Sequence, residues 1–188
     1  MVNITYYYYV KGHQERRLAV GEKINYQADA SEYIEQLPRG AFLTVKSGEQ
    51  QNTMTIGWGT IGYMWQRPIL IVAVRYSRFT YELIDKAAEF SVSAPVDNRY
   101  NKILGRVGTE SGRDIDKFKE YNIPLQPGKT IDCPVIYDCG ITYECKIIYR
   151  QPIDPEALNP DIRDKFYSNQ DYHVIYWGEI TAVYKNNL

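Results

Sequence analysis

The sequence predicts a mainly β chain with added helices, folded as a closed barrel or sandwich with the helices packed at one side. Three observations carry this. Strand-like runs recur from Pro38 onward without a repeating strand–helix–strand pattern. The best of them, Ile141–Arg150, alternates: Ile141, Tyr143, Cys145, Ile147 and Tyr149 share one side, and Thr142, Glu144, Lys146, Ile148 and Arg150 the other. Tyrosine occurs 18 times beside 5 Phe and 3 Trp, and aromatic residues favour strands.

Residues 1–25 differ in character from the rest and are set apart as an N-terminal arm of unassigned role. Ile4–Val10 has strand composition, but its four successive tyrosines give no inside–outside alternation. Residues 26–188 form a single domain. Gly40–Lys46 reads as a strand ended by Ser47-Gly48, and Met54–Trp58 as its return. Pro68–Arg75 is apolar on both faces and therefore central or barrel-lining. Ser77–Ala88 switches to helical spacing, with Ser77 or Thr80 as N-cap. Phe90–Ser93 is a strand before Pro95, Tyr100–Val107 a short helix ending near Gly105–Gly108, and Asp114–Tyr121 a further helical turn or two. Val174–Tyr184 is a long final strand, in which Gly178 marks a bulge or a close backbone approach.

Composition excludes several classes. A chain of 188 residues buries about 70% of its extended surface without staples. With 22 basic and 23 acidic residues the net charge is −1, which argues against a nucleic-acid binder. The longest apolar run, Pro68–Val74, is too short for a bilayer, and the N-terminus lacks the features of a signal peptide. Cys133, Cys139 and Cys145 are odd in number and fit no common zinc spacing, so buried thiols in a cytoplasmic protein are expected. The only histidines are His13 and His173, so no metal site is expected. There is no phosphate loop of the GxxxxGK[ST] type, no GxGxxG and no GxSxG elbow.

Two polar stretches remain. Asn52-Thr53-Met54-Thr55-Ile56-Gly57-Trp58 is one; Arg75-Tyr76-Ser77-Arg78-Phe79-Thr80-Tyr81-Glu82, where a strand runs into a helix, is the other. Two arginines, a serine and a threonine around a helix start form either an anion site, suited to phosphate, or a capped helix with solvated arginines.

The run NTMTIGWGTIGYMWQRPILIVAVRYSRFTYELI at 52–84, which holds both stretches, with EFSVSAP at 89–95, GTESGRDIDKF at 108–118, YECKIIYRQ at 143–151 and DYHVIYWGEI at 171–180, resembles the flavin reductase-like proteins of the FMN-binding split barrel, in particular their flavoredoxin branch. The resemblance covers roughly residues 38–184. It implies a six-stranded Greek-key split barrel, a homodimer, and FMN held non-covalently near the subunit interface. It places Asn52, Thr53, Met54 and Thr55 along the flavin ring and ribityl chain, Arg75, Ser77, Arg78 and Thr80 at the phosphate, and Lys117 as a further polar contact. A flavoprotein needs no nucleophile of its own, since the cofactor carries the chemistry.

His173 is either a donor near the substrate or an exposed strand-end histidine. Trp58, Tyr63 and Trp65 either shield a flavin face or belong to core or interface. Three functions follow from the resemblance: an NAD(P)H-dependent flavin reductase-like oxidoreductase, an electron carrier cycling between redox partner proteins, or a non-catalytic flavin-binding dimer.

Overall fold

Residues 25–96 and 98–185 are described by the computed structural model. The N-terminal arm, with Ile4–Val10, lies outside them. The elements in chain order are α1 (Ala30–Gln36), β1 (Ala41–Ser47), β2 (Gln50–Ile56), β3 (Gly59–Met64), β4 (Arg67–Arg75), α2 (Phe79–Ile84), β5 (Glu89–Ala94), α3 (Asn101–Thr109), α4 (Lys117–Glu120), β6 (Leu125–Gln126), β7 (Val135–Ile136), β8 (Ile141–Pro152), α5 (Pro160–Phe166) and β9 (His173–Lys185).

The expected six-stranded closed barrel is corrected. Among the described residues there are nine strands, seven of them in one antiparallel sheet of order β2-β1-β5-β8-β9-β4-β3, with β6 and β7 paired separately. The end strands β2 and β3 do not pair with each other, yet only Gly57 and Trp58 separate them in the chain. The sheet must therefore roll until its edges nearly meet, leaving a barrel split along one seam. β3 escaped the sequence reading because nearly all of it is exposed, so it carries no alternation.

The apolar interior holds Leu43, Val45, Val72, Val74, Val92, Tyr143, Tyr176 and Ile180. A second cluster joins Phe42 of β1 to Leu104, Val107 and Phe118, which packs α3 and α4 outside the barrel. Gly178 meets the expectation of a close approach: a Cβ there would lie 2.5 Å from Phe90 Cζ. The β8–β9 register shifts beside it, between Ile147 and Tyr149.

Three local expectations change. The helix read over Ser77–Ala88 is only Phe79–Ile84, its N-cap residue is Arg78, and neither Ser77 nor Thr80 caps it. The helix read over Tyr100–Val107 continues through both glycines to Thr109. The polar side of β8 is not uniformly wet. Glu144 is fully buried, accepting hydrogen bonds from Lys129 N, Thr130 N, Thr130 Oγ1 and Tyr184 Oη, which supply what water would have supplied. All three cysteines are buried and none forms a disulfide. No helix among the described residues is long and apolar enough to cross a membrane.

Candidate functional site

The inner end of β2, the β4–α2 junction and the α3–α4 connection border two cavities of about 100 and about 170 Å³, which share Met54 and Arg78. The smaller is cationic. Arg78, Arg113 and Lys117 line it, with Asn52, Ser77 and Thr80, and Glu110 is its one acid. Arg78 has no carboxylate partner among the described residues, and its contact to Gly108 O is long, at 3.4 Å. Arg113 lies 5.6 Å from the Phe79 ring centre and bonds Glu82 at 2.5 Å.

Lys117 is only 3% exposed. Asp116 caps the short α4 by accepting from Phe118 N and Lys119 N, and this presents Lys117 inward. Its Nζ donates to Thr53 O at 3.1 Å and Val107 O at 2.7 Å. Burial, helped by the charge of Arg78, lowers its pKa to about 8. Asn52 Nδ2 donates to Thr80 Oγ1 at 2.8 Å, so the threonine keeps its own proton to donate. Gly112 presses on Asn52, and a Cβ there would fall 2.3 Å from Oδ1. The α2 helix is six residues long, so the local field comes from side-chain cations rather than from a helix dipole.

The larger cavity is lined by Met54, Thr55, Ile56, Gly57 and Trp58 along the seam, with Ala73 and Arg75 of β4 and His173 of β9. Thr55 Oγ1 donates to Leu104 O at 2.6 Å. His173 is buried rather than exposed at the strand end, with Nδ1 2.8 Å from Tyr167 Oη. Burial first, then the charge of Arg75, lowers its pKa to about 4, so the imidazole is neutral near pH 7. The rings of Trp58 and His173 lie 5.0 Å apart.

The structure thus gathers Asn52, Met54, Thr55, Arg78, Thr80, Lys117 and His173 around the two cavities. Three expected site residues are placed differently. Thr53 is fully buried and lines neither cavity; strand alternation turns it to the face opposite Asn52 and Met54, and its hydroxyl bonds Leu43 O at 3.2 Å. Arg75 lines the larger cavity, and both its amino groups are bound to backbone carbonyls, Asp171 O at 2.5 Å and Phe166 O at 2.9 Å. Ser77 lines the cationic cavity, but its N–H and hydroxyl donate to the Asp171 carboxylate at 3.1 and 2.6 Å. Tyr63 and Trp65 are exposed and line neither cavity, whereas Trp58 lines the larger. The sequence reading missed Arg113. The signal was its place in the same SGRDIDKF block as Lys117.

Residues 36–187 match the family described as the flavin reductase like domain. An uncharacterised protein of Archaeoglobus fulgidus is 30% identical over 99 residues, 53% of this chain and 55% of that protein. The chain spans about half the length of the curated relatives it matches. Flavoredoxin of Desulfovibrio vulgaris (Miyazaki F) superposes with a TM-score of 0.61 at 23% identity, covering 79% of this chain and 69% of its own. The FMN-binding protein of Thermus thermophilus with bound 1-cyclohex-2-enone gives a TM-score of 0.59 at 24% identity, covering 77% and 68%. At these identities the likeness is one of fold.

Proposed function

This chain belongs to the flavin reductase-like family, and on that premise we propose that it binds FMN non-covalently and passes electrons from NAD(P)H through it to an acceptor. One observation carries the reading: a small cationic cavity and a larger one with an apolar, aromatic wall meet at Met54 and Arg78. The donor set fits the group. Arg78 and Lys117 supply positive charge for a phosphate, with Thr80 as hydroxyl donor, while the charge of Arg113 is met by Glu82. Met54 to Trp58 offer backbone groups and apolar surface to a ring. Bound FMN would supply the two-electron chemistry, taking a hydride equivalent from a dihydronicotinamide. The chain's residues orient the ring, neutralise the phosphate and exclude water from the seam. His173, neutral near pH 7, would present its remaining ring nitrogen to a substrate rather than a fixed charge.

Each cavity is smaller than the roughly 300–1,000 Å³ of a typical ligand pocket, so a bound FMN would need a second wall. A homodimer supplies it. Exposed Tyr63, Met64, Trp65 and Tyr149 give the aromatic surface such an interface uses. Cysteines outside disulfides suit a reducing cytoplasm.

An electron carrier served by protein partners is the second reading, favoured by the half-exposed Trp58 and Phe166 at the edge of the larger cavity. Anaerobic mixing of the FMN-loaded protein with NADH or NADPH separates the two. Bleaching of the flavin band within seconds supports the reductase. An unbleached band, with rapid reduction by a protein donor, supports the carrier.

A further inference from the structure

We propose that Arg75 is a positioning residue rather than a phosphate ligand: it fastens the segment between β8 and β9 across one end of the larger cavity, and the Trp58–Phe166 wall so fixed selects planar electron acceptors. The last clause rests on the FMN reading; the fastening does not.

Apart from Tyr167, which is buried, the segment has little packing of its own. No residue of α5 is buried, and Ile162 and Phe166 are 46% and 38% exposed. It is held instead by three successive residues after β4's last apolar position. Arg75 donates to the carbonyls of Asp171 and Phe166 and lies 5.1 Å from the Tyr167 ring centre. Tyr76 N donates to Tyr172 O at 3.2 Å. Ser77 donates twice to the Asp171 carboxylate. Two of the five N–H groups of the Arg75 guanidinium are thereby committed, one on each amino nitrogen, and this ties its orientation to the segment rather than to a ligand. Arg78, three residues on, carries no such load.

What Arg75 holds is a wall. Phe166 meets Trp58 edge-to-face, with centroids 5.1 Å apart and planes at 86°. Tyr167 stacks on Tyr172 at 4.9 Å and bonds His173 Nδ1. Trp58 and His173 line the cavity itself. A flat, conjugated molecule can stack on the half-exposed indole of Trp58, which Phe166 backs edge-on, and a bulky one cannot approach as closely. The charged groups facing His173 are Arg75, Arg78 and Asp171, so its titration reports whether Arg75 is in place.

The test uses the full chain and three readouts: the FMN dissociation constant, the His173 ring titration by NMR, and the rate at which the dithionite-reduced, FMN-loaded protein is re-oxidised by 1,4-naphthoquinone relative to octahedral ferricyanide. With only two histidines in the chain, His173→Gln assigns the ring signals. Arg75→Gln is expected to change FMN affinity less than threefold, to raise the His173 pKa, and to lower the naphthoquinone-to-ferricyanide ratio at least threefold. Phe166→Ala is expected to lower the ratio alone. An Arg75→Gln variant that loses FMN affinity tenfold or more, with His173 unmoved, overturns the fastening role. An unchanged ratio in both variants overturns the selection. Arg75→Lys, which keeps the charge but not the fork, is expected to lower the ratio likewise and to raise the His173 pKa only as far as the released segment exposes the ring; if Arg75→Gln does not fold, Arg75→Lys replaces it with those expectations. A wild type that binds no FMN sinks the FMN reading and the selection with it, while the His173 titration in Arg75→Lys, where the charge is kept, still decides the fastening: an unmoved His173 there overturns it.

Discussion

Replacing Arg78 by alanine should weaken FMN binding about ten- to a hundredfold and leave the fold intact. Arg78 lines both cavities and has no carboxylate partner among the described residues, and the one described hydrogen bond of its side chain is the 3.4 Å approach to Gly108 O. Removing it therefore strands no buried charge, and stability should move by no more than about 0.5 kcal/mol. A charge-assisted hydrogen bond to phosphate is worth roughly 1.5–3 kcal/mol, and that range gives the expected loss of affinity. Arg78 also helps to lower the Lys117 pKa, so its removal leaves Lys117 more firmly protonated and partly offsets the loss. Arg78→Lys should recover only part of the affinity, because an ammonium cannot form the planar fork. Fluorescence quenching by FMN and by riboflavin makes the comparison, since riboflavin lacks the phosphate and should bind wild type and variant alike. An unchanged FMN dissociation constant would refute the reasoning and remove Arg78 from the site.

Other expectations follow from the same geometry. Because the Lys117 pKa is lowered to about 8 and a bound phosphate favours its charged form, FMN affinity should fall above pH 8, by at most about tenfold per pH unit, and Lys117→Met should flatten that limb in a quenching titration. In the protein without FMN the same lowering acts with the opposite sense. Between pH 8 and 10.5 the unfolded chain holds more protons than the folded one, so Lys117 makes stability rise with pH there. The His173 pKa is lowered from 6.5 to about 4, so the unfolded chain binds more protons in that window. Its contribution, roughly 3 kcal/mol, is present above pH 6.5 and lost as pH falls towards 4; denaturant unfolding should show His173→Gln losing less stability on acidification. Gly178→Ala should cost more than about 2 kcal/mol in the same assay, because its Cβ would strike Phe90, which is fully buried and has nowhere to move.

What the sequence made legible follows the reach of each signal. β1, β4, β5, β8 and β9 announce themselves through apolar runs or alternation, and lie within a residue or two of their expected bounds. β3 and α5 present no buried stripe, so no periodicity reports them. The start of β2 is hidden in the same way, since Gln50 and Gln51 are exposed on a sheet edge. At the site, short-range chemistry was readable: Arg78 and Thr80 stand together at a strand–helix junction, and the GRDIDKF block brings Lys117 opposite them. The fate of Arg75 and Ser77 was not readable, because it depends on Asp171, which sits almost a hundred positions away and reaches them only through the β4–β9 pairing. Thr53 is turned away from the side of Asn52 and Met54 by strand parity, and parity cannot be assigned in a stretch that mixes short polar and apolar residues.

Native mass spectrometry of the purified chain after loading with FMN tests the central claim most directly. The account predicts an even-numbered assembly carrying one FMN per chain, with FAD and riboflavin retained less well because the cationic cavity is built for one terminal phosphate. A colourless protein that retains no FMN under any loading condition, or one that holds FAD in preference, would contradict it.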